Sequence, residues 1–251
     1  MLRAFSLVAI CLTGTLHAQT SFETASIKRS EPNNPNGSTF EYRTGGSLRV
    51  QSGTLLGLIE SAYDVRDFQI IGGPGWVNTD RFDVLARSAS DGAPGSRDSD
   101  IAATRLKLRA LLAERFQLVL HRETRELPQY VLRMNKDGPK PTLERASSAA
   151  NSRTGIQSTC GHMTGTSASM TNLTLYLSRQ LRRPVLDATG LSERYNFQLD
   201  WTPELAPCGD ATGDAPSIFN AMQEQLGLTL DASKGPVDVL VIDSAQRPTE
   251  D

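Results

Sequence analysis

His121 is the first residue whose type and setting could do chemistry. It stands in Leu118-Val119-Leu120-His121-Arg122-Glu123, with Glu126 close behind. An imidazole beside carboxylates is the pairing that general acid–base catalysis uses. A hydrolase using His121 with Glu123 or Glu126 is therefore the catalytic reading the sequence offers. Spacing supplies no nucleophile for it, and a strand histidine paired with an acidic neighbour explains the same residues. No catalytic residue is assigned.

Cys160-Gly161-His162 together with Cys208 would give three zinc ligands. A structural zinc site needs four, and this spacing matches none of the usual patterns, so no metal site is read here. Gly72-Gly73-Pro74-Gly75 is glycine-rich, but Pro74 lacks the amide a phosphate cradle would use, and the stretch reads as a turn. Trp76 and Trp201 sit beside strands, where an aromatic is ordinarily core. Asn36-Gly37-Ser38 and Asn172-Leu173-Thr174 are formal glycosylation acceptors that decide nothing. There is no nucleophile elbow, no zincin helix and no nucleotide-binding loop. No cofactor is implied, and the binding residues are left unknown.

The N-terminus sets the compartment. Met1-Leu2-Arg3 is a short basic region, Ala4 to Leu16 is apolar, and Leu16-His17-Ala18 offers a cleavage position. This is the pattern of a secretory signal peptide, cut after Ala18, and the apolar run is too short to span a bilayer. No later stretch approaches spanning length, so a periplasmic or secreted protein is expected. The mature chain would keep 25 basic and 28 acidic residues, a net charge of −3, too small to imply a nucleic-acid partner. It would also keep two cysteines. In an oxidising compartment Cys160 and Cys208 favour one disulfide over two separate thiols.

Around these residues the periodicity predicts α+β structure in two related tandem modules. Strands are expected at Phe22–Lys28, Ser47–Gln51, Phe68–Ile71 and Arg81–Ala86. Thr54 begins a helix bearing Leu55, Leu58, Ile59 and Ala62. Ser88 to Ser99 reads as a linker, Asp100 as the cap of a second helix, and Leu111 to Leu132 as helix end, strand, charged turn and strand. After a linker at 138–159 the order restarts. Asn172 caps a helix with Leu173, Tyr176, Leu177 and Leu181, and a strand follows at Tyr195–Trp201. Ser217 caps another helix, and a hairpin closes around Gly235-Pro236. Arg81-Phe82 then corresponds to Arg194-Tyr195, and Phe116-Gln117-Leu118 to Leu226-Gly227-Leu228. The expected division is a signal peptide at 1–18, modules at 19–137 and 160–246, and a tail at 247–251. Each module should be a small mixed sheet with two helices on one face. Charge is uneven: residues 101–145 hold ten Lys/Arg against five Asp/Glu, whereas 187–251 hold three against twelve.

Several stretches also resemble a known family when taken in order. They are Phe22 to Lys28; Gly72-Gly73-Pro74-Gly75-Trp76 with Asp80-Arg81-Phe82-Asp83; and Leu111 to Phe116 with His121 to Glu126. Arg183-Pro184-Val185 through Thr189-Gly190-Leu191 and Gly235 to Asp243 complete the set. The sequence resembles the soil-associated Acidobacteria family of secreted proteins built on a domain of unknown function. The resemblance implies an exported bacterial protein with no assigned activity and no active-site residues to carry over. The second half also resembles, in element order, the short N-terminal domain of secretins and TonB-dependent receptors, an interaction module; this is an analogy of fold. The expectation is an exported, non-catalytic interaction or ligand-binding module of the cell envelope. Its partner, an envelope protein or a small ligand, is unnamed, and it would act through a groove between modules or an open sheet edge.

Overall fold

The structure is a computed structural model that describes residues 21–30, 37–43, 45–88, 97–147, 154–203 and 215–249. The expected signal peptide, Asn36 and Cys208 lie outside the described residues. The chain divides into two compact units. One comprises Met1–Val65, Gly72–Leu120 and Ile242–Asp251; the other comprises Arg66–Ile71 and His121–Val241. Each unit gathers separated stretches, so neither coincides with residues 19–137 or 160–246.

The first unit is built on an antiparallel sheet of β1 (Thr24–Arg29), β2 (Thr39–Arg43), β3 (Ser47–Thr54) and β5 (Arg81–Arg87), in the order β1-β5-β3-β2. Along β5, buried Phe82, Val84 and Ala86 alternate with exposed Arg81, Asp83, Leu85 and Arg87. This is the period of two that a one-sided sheet requires. Helices α1 (Leu55–Tyr63) and α2 (Arg97–Arg115) supply Leu55, Leu58, Ile59, Leu108 and Leu112 to the buried face. Phe82 meets Phe116 edge-on at 5.2 Å and Trp76 at 6.5 Å. Such pairs add about 0.5–1.5 kcal/mol beyond area burial.

The second unit holds two sheets. In one, β10 (Val185–Ala188), β6 (Val119–Met134), β12 (Leu228–Ser244) and β4 (Ile70–Gly72) lie in the order β10-β6-β12-β4, with β10 parallel to β6. In the other, β7 (Glu144–Arg145), β8 (Gly155–Thr159), β9 (His162–Ala168) and β11 (Tyr195–Asp200) form an antiparallel sheet ordered β7-β11-β9-β8. Its core joins Met163, Phe197 and Leu199 to Leu173 and Leu177 of α3 (Met170–Leu181). Ile218 and Ala221 of α4 (Ile218–Ala221) join them, and a π-helical turn, Met222–Leu226, continues that helix.

Five expectations need correction. The charged segment at Glu126 does not turn: β6 is one strand of 16 residues. Pro128 fits within it because β10 pairs only with Tyr130 to Arg133, so no amide is asked of Pro128 on that side. Gly235-Pro236 likewise lies inside the 17-residue β12. A Cβ at Gly235 would stand 2.3 Å from the Gln129 amide nitrogen, so glycine serves close packing there and not a turn. Ser169, not Asn172, caps α3. Its hydroxyl accepts from Asn172 N–H while Asn172 Oδ1 accepts from Ser169 N–H, a reciprocal capping box. Helix α2 begins at Arg97, which leaves Asp100 in its first turn, where a carboxylate complements the helix dipole. Residues 138–159, expected as a linker, hold strands β7 and β8, which pair with β11 and β9; these two strands and β2 had no counterpart in the sequence reading.

The strand order β7-β11-β9-β8 is β1-β5-β3-β2 with six added to each number. Register agrees too. Val50 opposes Val84 as Gly165 opposes Phe197, and Arg49 opposes Leu85 as Thr164 opposes Gln198. Both sheets carry a bulge at a serine with positive φ, Ser52 at 54° and Ser167 at 44°. Ser52 N–H donates to Asp83 Oδ1 at 2.7 Å, and Ser167 N–H to Asn196 Oδ1 at 2.8 Å. Arg81 donates to Ser52 O, and Arg194 to Ser167 O. Thr54 and Ser169, each two residues on, cap α1 and α3. Core volumes are exchanged between the equivalent pairs: the Phe197 ring fills the space beside Gly165, where the first sheet has Val50 against Val84.

Because Asp83 and Asn196 do the same work, Asp83→Asn and Asn196→Asp should each shift stability by less than about 0.5 kcal/mol. Asp83→Ala and Asn196→Ala strand a bulge amide and should each cost about 1–3 kcal/mol. Urea unfolding midpoints of the four variants check this; equal midpoints for the alanine and conservative variants would remove the clamp role.

Candidate functional site

The residues singled out by sequence are dispersed. His121 is about half exposed on β6, with Nε2 3.8 Å from Glu123 Oε2, and Arg125 binds the same carboxylate at 2.9 Å. Residues two apart on a strand share a face, so these three form an exposed charged row and Glu126 points to the other side. The Arg125 guanidinium, hydrogen-bonded to Glu123, holds its carboxyl below the usual value, and His121 adds a smaller pull. An arginine-bound carboxylate orients an imidazole only weakly.

Cys160 lies in the turn between β8 and β9, and its expected partner Cys208 is outside the described residues. Both ring nitrogens of His162 are engaged by other residues: Nδ1 meets Asp200 Oδ1 at 2.5 Å and Nε2 meets Thr164 Oγ1 at 3.1 Å. Among the described residues no group of three His, Cys, Asp or Glu could hold a metal ion. Trp201 is buried and meets Tyr176 edge-on; Trp76 packs against Phe82 and carries Arg247 over its ring at 5.1 Å. Gly73, with φ of 79°, packs against Ile242, and the glycine-rich stretch makes a turn.

The surface that sequence reasoning missed is the open face of the first sheet. Alternation that buries Ile27, Val50, Val84 and Ala86 sends Lys28, Arg49, Leu85 and Arg87 outward. With Arg43 of β2 they line a shallow cavity of about 460 Å³. Each of the four strands contributes one cation, and Leu85, 41% exposed, lies on its floor opposite Ser26 and Arg49. Arg43 is paired with Glu41 at 3.0 Å. Among the described residues Lys28, Arg49 and Arg87 form no ion pair. Among the described residues Asp83 is the one acid lining the cavity, and its carboxylate is engaged by Ser30 Oγ and the Ser52 bulge amide.

The equivalent positions of the third sheet show which of these residues the fold itself needs. Register places Glu144 at Lys28, Thr159 at Arg43, Thr164 at Arg49 and Asp200 at Arg87. Two cations are replaced by acids and two by threonine, in a sheet of the same topology. The cations are therefore not a requirement of this architecture. Holding unpaired like charges on one face is unfavourable by itself, which points to a role outside folding. The alternation of RFDVLAR and SLRVQ was visible in the sequence; what it could not give was that β1, β5, β3 and β2 lie side by side.

A family model described as "Protein of unknown function (DUF3738)" matches residues 56–245. Arg87 falls within that span, whereas Lys28, Arg43 and Arg49 precede it. No curated protein and no solved structure matches the chain.

Asp80 anchors the end of β1 beside this face. Its carboxylate binds Arg247 at 2.8 Å and Arg29 at 2.7 Å. Hydrogen bonding to Arg247 is the largest influence and, together with Arg29, holds the carboxyl below its ordinary value of 3.8 against the opposing effect of burial. A carboxyl depressed in the folded state stabilises above its unfolded pKa, and that contribution fades as pH falls through the folded value. Asp80→Asn should accordingly be less stable than wild type at pH 6, and the two should converge as pH falls below 3.8 and through the depressed folded value. Thermal melts across this range test it; a difference independent of pH would rule the ion pairs out as its source.

Proposed function

The chain belongs to the family described as protein of unknown function, DUF3738, and from that premise we propose that it is an exported, non-catalytic binding protein. Its binding surface is the open, cationic face of the first sheet, and its partner is anionic. The observation that carries this reading is the reversal of charge at equivalent positions: Lys28 and Arg87 against Glu144 and Asp200 on a shared framework. We also take the two halves of the chain to be copies of one module. Their matching bulges, caps and arginine contacts support this. After duplication the inner face stays apolar, because the core requires it, while the open face is free to diverge.

Export rests on the basic and apolar segment at residues 1–18 and on the resemblance to secreted soil-associated Acidobacteria proteins. A periplasmic or extracellular site suits a Cys160–Cys208 disulfide. Closing a loop of that length would restrict the unfolded chain, nominally by about 4 kcal/mol.

Two measurements test the reading. The purified protein should be retained on an immobilised polyanion column at low salt despite its net charge of −2, because the cations are gathered on one face. The triple variant K28Q/R49Q/R87Q should elute at clearly lower salt. Identical elution of the two proteins would exclude this face as the binding surface. Separately, the intact mass of the protein exported by a bacterial host should correspond to a chain beginning at Gln19 and lacking the two thiol hydrogens of Cys160 and Cys208. A full-length mass would refute export by cleavage after Ala18.

A further inference from the structure

We infer that the ligand of the first sheet's open face is a compact organic polyanion, a short carbon skeleton bearing two or more carboxylate or phosphate groups. The inference rests on the reading of that face as the binding surface, and it adds the chemical class of what binds.

Three features of the face select this class. The first is the disposition of the cations. Arg49 opposes Leu85, so Arg87, two residues along β5, is its diagonal neighbour, roughly 7–8 Å away between backbone positions. Arg43 stands in the same diagonal relation to Arg49 through the Glu41 pair. Lys28 lies on the far strand, opposite Asp83. Cations so spaced are only partly used by a molecule with a single charge. A ligand carrying several oxyanions can engage them together, and arginine offers each a planar, two-pronged set of donors. Gln51 lines the same cavity and carries a neutral amide donor, its Oε1 accepting from Thr39 Oγ1.

The second feature is the apolar floor. Leu85 is exposed amid these charges, with Ser26 opposite it on β1. An inorganic anion would leave Leu85 in water or pressed against charge, whereas a carbon skeleton between two anionic ends covers it. The third feature is what the lining contains and how large it is. The cavity, at about 460 Å³, has the size of a small-molecule site, and among the described residues no aromatic ring lines it. Single-stranded nucleic acids are ordinarily held by bases stacked on aromatic side chains, and that platform is missing from the lining residues.

Calorimetric titration of the full mature protein with citrate, fructose 1,6-bisphosphate, inorganic phosphate and acetate tests the inference. Sedimentation with phosphatidylglycerol vesicles is the companion arm. Citrate or the bisphosphate should bind with one-to-one stoichiometry, at least about tenfold more tightly than acetate or inorganic phosphate. Preference for citrate assigns carboxylates, and preference for the bisphosphate assigns phosphate esters. R49Q and R87Q should each weaken binding about tenfold or more without moving the urea midpoint. L85S should weaken the organic ligand and leave inorganic phosphate unaffected. Thr164→Val, at the position equivalent to Arg49 on the third sheet, should change nothing. Equal affinity for single and multiple anions would overturn the ligand class and leave the cationic binding face standing. Binding to vesicles alone, or retention on the polyanion column with no response to any soluble probe, would overturn the class in favour of an extended anionic surface or polymer. No binding to any probe, with column retention unchanged in K28Q/R49Q/R87Q, would overturn both readings.

Discussion

The first and third sheets of this protein each depend on one strained residue held from two sides. Ser52 and Ser167 adopt a left-handed backbone without being glycine, a conformation that costs on the order of 1–3 kcal/mol at such positions. The surroundings offset that cost. A carboxylate or amide oxygen from the neighbouring strand takes the bulge amide, and an arginine two residues before that oxygen's own residue takes the bulge carbonyl. The bulge redirects β3 and β9, and two residues later the chain is capped by Thr54 or Ser169 and enters a helix. Where the helix lies on its sheet is thus settled by a short polar clamp before any apolar contact is counted.

A fixed helix position has a consequence for the other side of the sheet. With the helices on one face, every second strand residue is committed to the core, as Phe82, Val84 and Ala86 are. Those positions tolerate exchange only when volume is conserved, as in the Val50–Val84 and Gly165–Phe197 pairs. The opposite face carries no such obligation. On the first sheet it has become a field of cations around Leu85. On the third it holds Thr164, His162 and Asp200 joined by hydrogen bonds, with Gln198 beside them. At the four equivalent positions the cations give way to two acids and two threonines, and that freedom is the physical basis for locating function on the open face.

The ionic contacts sort along the same line. Arg29 with Asp80 has a counterpart in Arg145 with Glu193, both tying an edge strand to the residue that leads into the next strand. Those pairs recur because the architecture uses them. Lys28, Arg49 and Arg87 have no such counterparts. A charge shared by both sheets is explained by structure, whereas an unshared one is not required by it.

What the sequence determined by itself is local and periodic. The alternation of Arg81 to Ala86, the Thr54 cap with Leu55, Leu58, Ile59 and Ala62, and the Leu-Gly-Leu step at Gly227 were legible because each arises from near neighbours in the chain. Even the correspondence of Arg81-Phe82 with Arg194-Tyr195 could be read, since it rests on order and spacing. The long strands were misread as hairpins because the charged run before Pro128 and the Gly235-Pro236 pair read locally as turns, and only the tertiary structure, with the single 16-residue β6 and the Gln129 side chain packed against Gly235, shows that no turn is needed. The candidate site was hidden for the same reason. Lys28, Arg43, Arg49 and Arg87 are spread over sixty residues of sequence and become one surface only through the strand order β1-β5-β3-β2. Pairing between distant strands is set by which apolar faces fit one core, a property of the whole fold and not of any window of sequence. Tertiary structure therefore decided where the charges meet, while the sequence had already decided which way each one points.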